Sequence, residues 1–375
     1  FAWGNGTWDS GINPFAQGTN RLMNTATTET ARISYVLNVP TDGYYNLYVS
    51  YSAWTQRAPD AHYIVRPPVG ETHFRVDQRH HGGTWVLLGR FWFMAGSNEQ
   101  LGSVAIANDS SAAGTDIQVS ADAVRIGGGM GLITRGGSAS GKPRFEECCR
   151  YNAQFAGAPT SVYDASTEDN SDDVSCRSRM AAWVHEAGEE AVYFSYHTNA
   201  GGGRGTSTYV YSSNPPDGSY TPGAGTAGSD DLASRGQDYV VAAAEIHFES
   251  GWSDRGVRSA YFGELNPAYH DSDVPAALVE ALFHDSVEDT AYYREPFSRY
   301  VLGRAVCHAI IDYFAFTDGS TPIFPPEPPV GLRVFNDGPG RITATWDPPL
   351  ADAAGGVGAG LDGRTHAADV AADDG

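Results

Sequence analysis

From residue 31 to residue 126, apolar and polar positions alternate in short runs broken by turn residues. The runs are Ala31–Val39, Tyr44–Tyr51, His62–Val65, Thr72–Val76, Thr84–Met94, Ser103–Asn108 and Ala121–Ile126. A period of two with turn signals such as Thr41-Asp-Gly43 and Ala95-Gly-Ser-Asn98 predicts half-buried strands, and strands at this spacing predict a sandwich or jelly roll. Two glycine clusters, Gly127–Gly131 and Gly136–Gly141, follow as a flexible connection. The pattern then changes. Helices are expected over Pro143–Ala156, Asp173–Ala187, Leu232–His247 and Phe297–Phe314. Strands are expected at Ser161–Tyr163, in the run ending at His197, at Arg258–Gly263 and at Ala277–Phe283, whose composition also suits an amphipathic helix. Residues 201–228 read as a long loop, rich in Gly, Ser, Thr and Pro. This alternation predicts a three-layer α/β domain with a mostly parallel sheet.

The expected organisation is therefore multidomain. An all-β sandwich spans 1–131 and an α/β domain 142–316. A Pro-rich extended linker over 317–329 leads to two strands over 330–349, too few to bury a core alone. A tail over 350–375, poor in large apolar residues, is expected to be disordered.

The chain has 375 residues, 24 Lys plus Arg against 45 Asp plus Glu, and a net charge of −21. Lys142 is the only lysine. Such a balance argues against nucleic acid as a partner, because phosphate binding needs a basic face. No apolar run reaches transmembrane length. Cys148, Cys149, Cys176 and Cys307 lack zinc-ribbon spacing and read as buried free thiols, with a bridge from Cys176 to Cys148 or Cys149 as the alternative.

Two residues carry the candidate chemistry. His197 ends the run Ala191-Val-Tyr-Phe-Ser-Tyr-His197 and is followed by Thr-Asn-Ala and three glycines. A histidine at a strand end, beside a glycine loop, occupies the place where α/β sheets put ligand sites. The plain alternative is a satisfied strand-end histidine. Glu280 is a lone carboxylate in Pro275-Ala-Ala-Leu-Val-Glu-Ala-Leu-Phe283. Burying it is costly unless it is paired, metal-bound or catalytic. Its plain alternative is a solvated helix face. Glu264 reads as a loop or edge position, and Trp85, Phe91, Trp92 and Phe93 as sandwich core and edge rather than a sugar platform.

Three blocks within 142–316 resemble the zinc-dependent N-acetylmuramoyl-L-alanine amidases, which cut the amide between glycan and stem peptide in peptidoglycan. They are Arg177-Ser-Arg-Met-Ala-Ala-Trp183, Tyr193-Phe-Ser-Tyr-His-Thr-Asn-Ala200, and Ser259–Leu265 followed by Pro275–Phe283. Residues 1–131 resemble the golvesin C-terminal domain, also seen in xanthan lyases as a presumed carbohydrate-binding module. Val76-Asp-Gln78, Gly83–Phe93, Val104–Asp109 and Ala121–Ile126 carry that match. Gly331–Asp347 resembles the opening strands of a fibronectin type III sandwich.

The amidase resemblance implies a Zn2+ ion with His197 as a ligand and Glu280 as the catalytic proton shuttle. It further implies Asn199 orienting His197, Arg204 meeting a stem-peptide carboxylate, peptidoglycan or another cell-surface glycan as partner, and an extracellular or periplasmic location. The family's first two ligands, a His in a Gly-His-Gly loop and a Glu on the next helix, have no counterpart in 142–190. The expectation is that they precede Phe1, with the β domain inserted between, so that this stretch alone holds zinc weakly and lacks activity. The alternative is a non-catalytic glycan-binding protein with a degenerate amidase domain.

Overall fold

The computed structural model describes residues 9–12, 19–127, 133–135, 138–142, 146–213, 219–325, 330–338, 341–347 and 366–371. The chain forms two compact units, Phe1–Glu189 and Glu190–Gly375.

Among the described residues, the first unit opens with ten strands. They are β1 (Asp9–Ile12), β2 (Thr19–Thr25), β3 (Arg32–Val36), β4 (Gly43–Ser50), β5 (Ala61–Arg66), β6 (Thr72–Val76), β7 (Val86–Phe93), β8 (Ser103–Ala107), β9 (Gly114–Ala121) and β10 (Ala123–Ile126). All pair antiparallel, in the orders β1-β2-β9, β10-β4-β7 and β3-β8-β5-β6. Alternation does the sorting. Ala61, Tyr63 and Val65 turn inward while His62 and Arg66 turn outward. One core takes Ile33, Leu47, Val49, Tyr63, Val65, Phe93, Val104, Ile106 and Val119, drawn from all three sheets. The strands β1, β2 and β9 go beyond those the alternation predicts, since Asn20-Arg-Leu-Met-Asn24 and Gly114–Ser120 are mostly polar or small. They are recruited by backbone pairing with each other.

A short hairpin, β11 (Thr134–Arg135) with β12 (Ser138–Ala139), leads into α1 (Cys148–Ala156), α2 (Thr160–Tyr163) and α3 (Asp169–Val184). The glycine connection expected here falls largely outside the described residues. The strand expected at Ser161–Tyr163 is instead the single helical turn α2. Pro159 presets φ at its start, and Pro159 O accepts from Val162 N at 2.9 Å. The end of α1 is fastened to the β domain: Ala156 O accepts from Trp85 N at 3.2 Å and Thr84 Oγ1 at 3.0 Å, and Phe155 O from Arg125 Nη2 at 2.9 Å. Arg150, with 0% exposure, lies among Glu147, Asp164, Asp169 and Asp172 and donates from Nε to Tyr163 O at 2.6 Å.

The second unit begins with β13 (Tyr193–Asn199) and β14 (Thr206–Tyr211). It continues through α4 (Ser229–His247), β15 (Asp254–Ala260), a 3-10 turn (Gly263–Leu265), β16 (Ala276–Phe283), α5 (Val287–Arg294) and α6 (Pro296–Thr317). The sheet order is β13-β16-β14-β15. It is mixed rather than mostly parallel: β13 with β16 and β14 with β15 are parallel, whereas β14 runs antiparallel to β16. The cause is the connection between β13 and β14, which spans only Ala200–Gly205. A parallel return needs a crossover of roughly a dozen residues or more. The expected 201–228 loop therefore contains a strand, built on Thr206-Ser-Thr-Tyr-Val-Tyr211, a β-branched and aromatic run. Ala276–Phe283 is a buried strand and not a helix.

One sheet face packs Val279, Ala281 and Val210 against Val240, Ala244 and Leu232 of α4 and Leu302, Ala305 and Tyr313 of α6. The other face carries Tyr193, Leu278, Tyr209 and Tyr211 under Phe262 and Leu265. Beyond α6, β17 (Val330–Gly338) and β18 (Arg341–Asp347) form the expected antiparallel pair. Leu332, Val334, Phe335 and Ile342 of this pair are exposed. Within the tail expected to be disordered, β19 (His366–Ala371) pairs with β18, whose free edge offers it backbone hydrogen bonds. The remainder of 350–375 lies outside the described residues. The four cysteines are free; Cys176 is buried, but Cys148 and Cys307 are exposed, against the expectation of buried thiols.

Candidate functional site

Strands β13 and β16 bring His197 and Glu280 opposite each other, as direct register partners. In a parallel pair such partners project from the same face. That face is the one opposite α4 and α6, because Leu278, two residues before Glu280, belongs to the Tyr193–Tyr209 cluster. Glu280 also faces Ser207 across the antiparallel side. Burial pushes its carboxyl above the ordinary glutamate range, against a hydrogen bond from Tyr209 and the charges of His197, Arg255 and Arg258. Tyr209 is pushed up in turn, first by burial and then by the Glu280 charge.

His197 is held from the 3-10 turn. Its Nε2 lies 3.0 Å from Glu264 Oε1, 3.1 Å from Glu264 Oε2 and 3.0 Å from Ser195 Oγ. Glu264 is only 4% exposed. Its Oε2 accepts from Ser195 Oγ at 2.5 Å and from Tyr193 Oη at 3.0 Å. Tyr193, Ser195 and His197 alternate along β13 and so share one face. Below them His270 donates from Nε2 to the Glu264 carbonyl and stacks edge-on against Tyr193 at 4.6 Å. Burial lowers the His270 pKa from the usual histidine value.

Asn199 and Arg204 are engaged elsewhere. Asn199 Oδ1 accepts from Ala200 N at 2.7 Å, so its side chain closes the loop instead of orienting His197. Arg204 pairs with buried Asp289 at 2.8 Å and with Glu249 at 2.8 Å. Asp289 also accepts from Gly205 N at 3.1 Å and Phe283 N at 3.0 Å, which ties α5 to the glycine loop. Asp285 accepts from Gly201 N at 2.7 Å and Gly202 N at 3.0 Å. The loop beside His197 is thus fixed by two aspartates that sequence reasoning passed over. Glu264, read from the sequence as a loop or edge position, does lie outside the strands, on the 3-10 turn, but it is buried against His197.

The zinc expected from the resemblance needs three protein ligands at a catalytic site. Among the described residues, neither His197 nor Glu280 belongs to a group of three His, Cys, Asp or Glu side chains with donor atoms within 4.8 Å of one another. The residues present therefore do not compose that site. No helix among the described residues is long and apolar enough to cross a membrane.

Residues 2–128 match the family model of the Golvesin C-terminal domain. The matched stretch contains β1 to β10. A xanthan lyase from Bacillus sp. (strain GL1) is 34% identical over 123 residues, covering 32% of this chain and 13% of that protein. The chain thus spans about an eighth of that relative's length. Among solved structures, the catalytic domain of CwlV, an N-acetylmuramoyl-L-alanine amidase from Bacillus (Paenibacillus) polymyxa var. colistinus, is 21% identical with a TM-score of 0.25. The similarity covers 33% of this chain and 57% of that one. An N-acetylmuramoyl-L-alanine amidase from Clostridium difficile 630 is 18% identical with a TM-score of 0.29, over 43% of this chain and 68% of that one.

Proposed function

We propose that the second unit is an amidase-type domain of the cell envelope that acts on the glycan–peptide amide of peptidoglycan, with Glu280 and His197 at its reaction centre. The observation that carries this reading is their register pairing on adjacent parallel strands, on the face opposite α4 and α6. Glu280, raised by burial, is suited to take a proton from an attacking water and return it to the leaving amine. The two blocks of this unit that resemble the amidase family, Tyr193–Ala200 and Ser259–Leu265 followed by Pro275–Phe283, supply the substrate class. The golvesin C-terminal domain would present the protein to a cell-surface glycan. Tyr44, 64% exposed with Arg90 5.2 Å over its ring, offers one platform for a sugar.

A second reading, a peptidoglycan-binding protein without turnover, is favoured by the incomplete donor set of this unit. Digestion of purified peptidoglycan separates the two. Under the hydrolase reading, stem peptides with a free N-terminal amine appear in the soluble fraction by mass spectrometry. Glu280→Gln then lowers their release about 10²- to 10⁴-fold, the usual contribution of a positioned acid–base group. Binding to the sacculus with no release, equal in the wild type and the variant, replaces the first reading by the second.

A further inference from the structure

We infer that Glu264 is a positioning residue that locks His197 as its Nε2–H tautomer and closes that nitrogen to a metal ion. The inference rests on the reading of His197 as part of the reaction centre. It follows from counting donors and acceptors around one nitrogen. Both Glu264 oxygens lie 3.0–3.1 Å from His197 Nε2, and an ionised carboxylate only accepts. The third neighbour, Ser195 Oγ, donates its one hydrogen to Glu264 Oε2 at 2.5 Å, so toward the ring it can only accept. Three acceptors converge on Nε2, and the proton must be there. The lone pair of a neutral ring then lies on Nδ1.

The lock is itself supported. Glu264 is 4% exposed, on the 3-10 turn Gly263–Leu265. Tyr193 Oη fixes Oε2 at 3.0 Å, and His270 holds the backbone carbonyl of the same residue. A buried carboxylate with two hydroxyl donors and an imidazole N–H is satisfied and has little reason to swing away. In metal sites, the carboxylate partner of a ligating histidine binds the nitrogen that the metal does not use. By that rule an ion at His197 would have to sit on Nδ1. A site built through Nε2 would first have to displace Glu264.

The test is long-range 1H–15N correlation spectroscopy of the histidine rings, with His197 assigned by comparison with His197→Gln. The expected pattern is a pyrrole-type Nε2 and a pyridine-type Nδ1, and Nε2 should keep its proton when Zn2+ alone is added. A pyridine-type Nε2, or loss of its proton on zinc addition, overturns the inference. Glu264→Ala should move both nitrogens toward the tautomer average of an exposed histidine, and Glu264→Asp should restore part of the lock. An unchanged spectrum in Glu264→Ala also overturns it. If that variant does not fold, the wild-type spectrum still decides. Stem-peptide release is a separate readout. A lock without release defeats only the hydrolase reading, and release with an unlocked Nε2 defeats only this one.

Discussion

At the scale of single residues, environment divides carboxylates that look alike in sequence. Glu264 and Glu280 both sit in apolar runs and end on the same sheet face, yet they are solvated differently. Glu264 is surrounded by donors from Tyr193, Ser195 and His197. Burial dominates Glu280 and raises its pKa. A raised carboxyl contributes stability that is fully present below the unfolded value and is lost as pH rises through the folded one. The unfolded reference is the ordinary glutamate value of 4.5. Glu280→Gln mimics the protonated form at every pH. Urea unfolding should therefore find the variant and the wild type nearly equal near pH 4, with the variant gaining relative stability as pH rises toward 7. A gap that closes toward neutral pH would contradict the burial assignment.

At the scale of elements, two glycines decide how closely segments approach. Gly236 of α4 faces β13, and a Cβ there would come within 2.7 Å of Phe194 Cζ. Gly205, before β14, has φ +90° and would place a Cβ 2.0 Å from the Ser253 carbonyl oxygen. The first neighbour is the end of a side chain that can shift, and alanine also regains ~1 kcal/mol of helix preference. Gly236→Ala should thus cost about 0–2 kcal/mol net, from overpacking of about 1–3 kcal/mol less that regained preference. Gly205→Ala meets backbone and a disfavoured φ together, and should cost roughly 2–4 kcal/mol by the same overpacking and strain. Denaturant midpoints that reverse this order would refute the argument. The same contrast bears on legibility. The strand carrying His197 announces itself by apolar and aromatic composition, whereas the run at Glu280 suits a strand or a helix and is settled as a strand by its pairing with β13 and β14. The strand Thr206–Tyr211 is masked by the glycine- and serine-rich residues around it, and only its place between β15 and β16 makes it a central strand.

At the scale of the whole molecule, the helices α1 to α3 belong to the same compact unit as the strands β1 to β10. Hydrogen bonds from Thr84, Trp85 and Arg125 to the end of α1 fasten them. Arg150 then organises the helices from within, as a fully buried cation among four carboxylates. Removing one partner from such a network leaves uncompensated charge, at about 3–5 kcal/mol. Arg150→Met should lower the stability of the first unit by that amount. Expressed alone, residues 1–189 should melt in one cooperative transition that the substitution shifts down. Two separate transitions, with only one of them shifted, would show that the helices and the β domain fold independently.

The sequence by itself determined what depends on neighbours along the chain. Alternation set the inward faces of the strands β3 to β8, and the apolar run before His197 placed it on a strand, whereas the run around Glu280 suited a strand or a helix. It left open what depends on residues far apart in sequence. The direction of β14 follows from a loop too short for a crossover. Arg204 is consumed by Asp289, 85 residues away, and cannot be read as free from its glycine-rich surroundings. Glu264 meets His197 across 67 residues. No local pattern records such a meeting, because a hydrogen bond between distant side chains exists only once the sheet has fixed where each of them points.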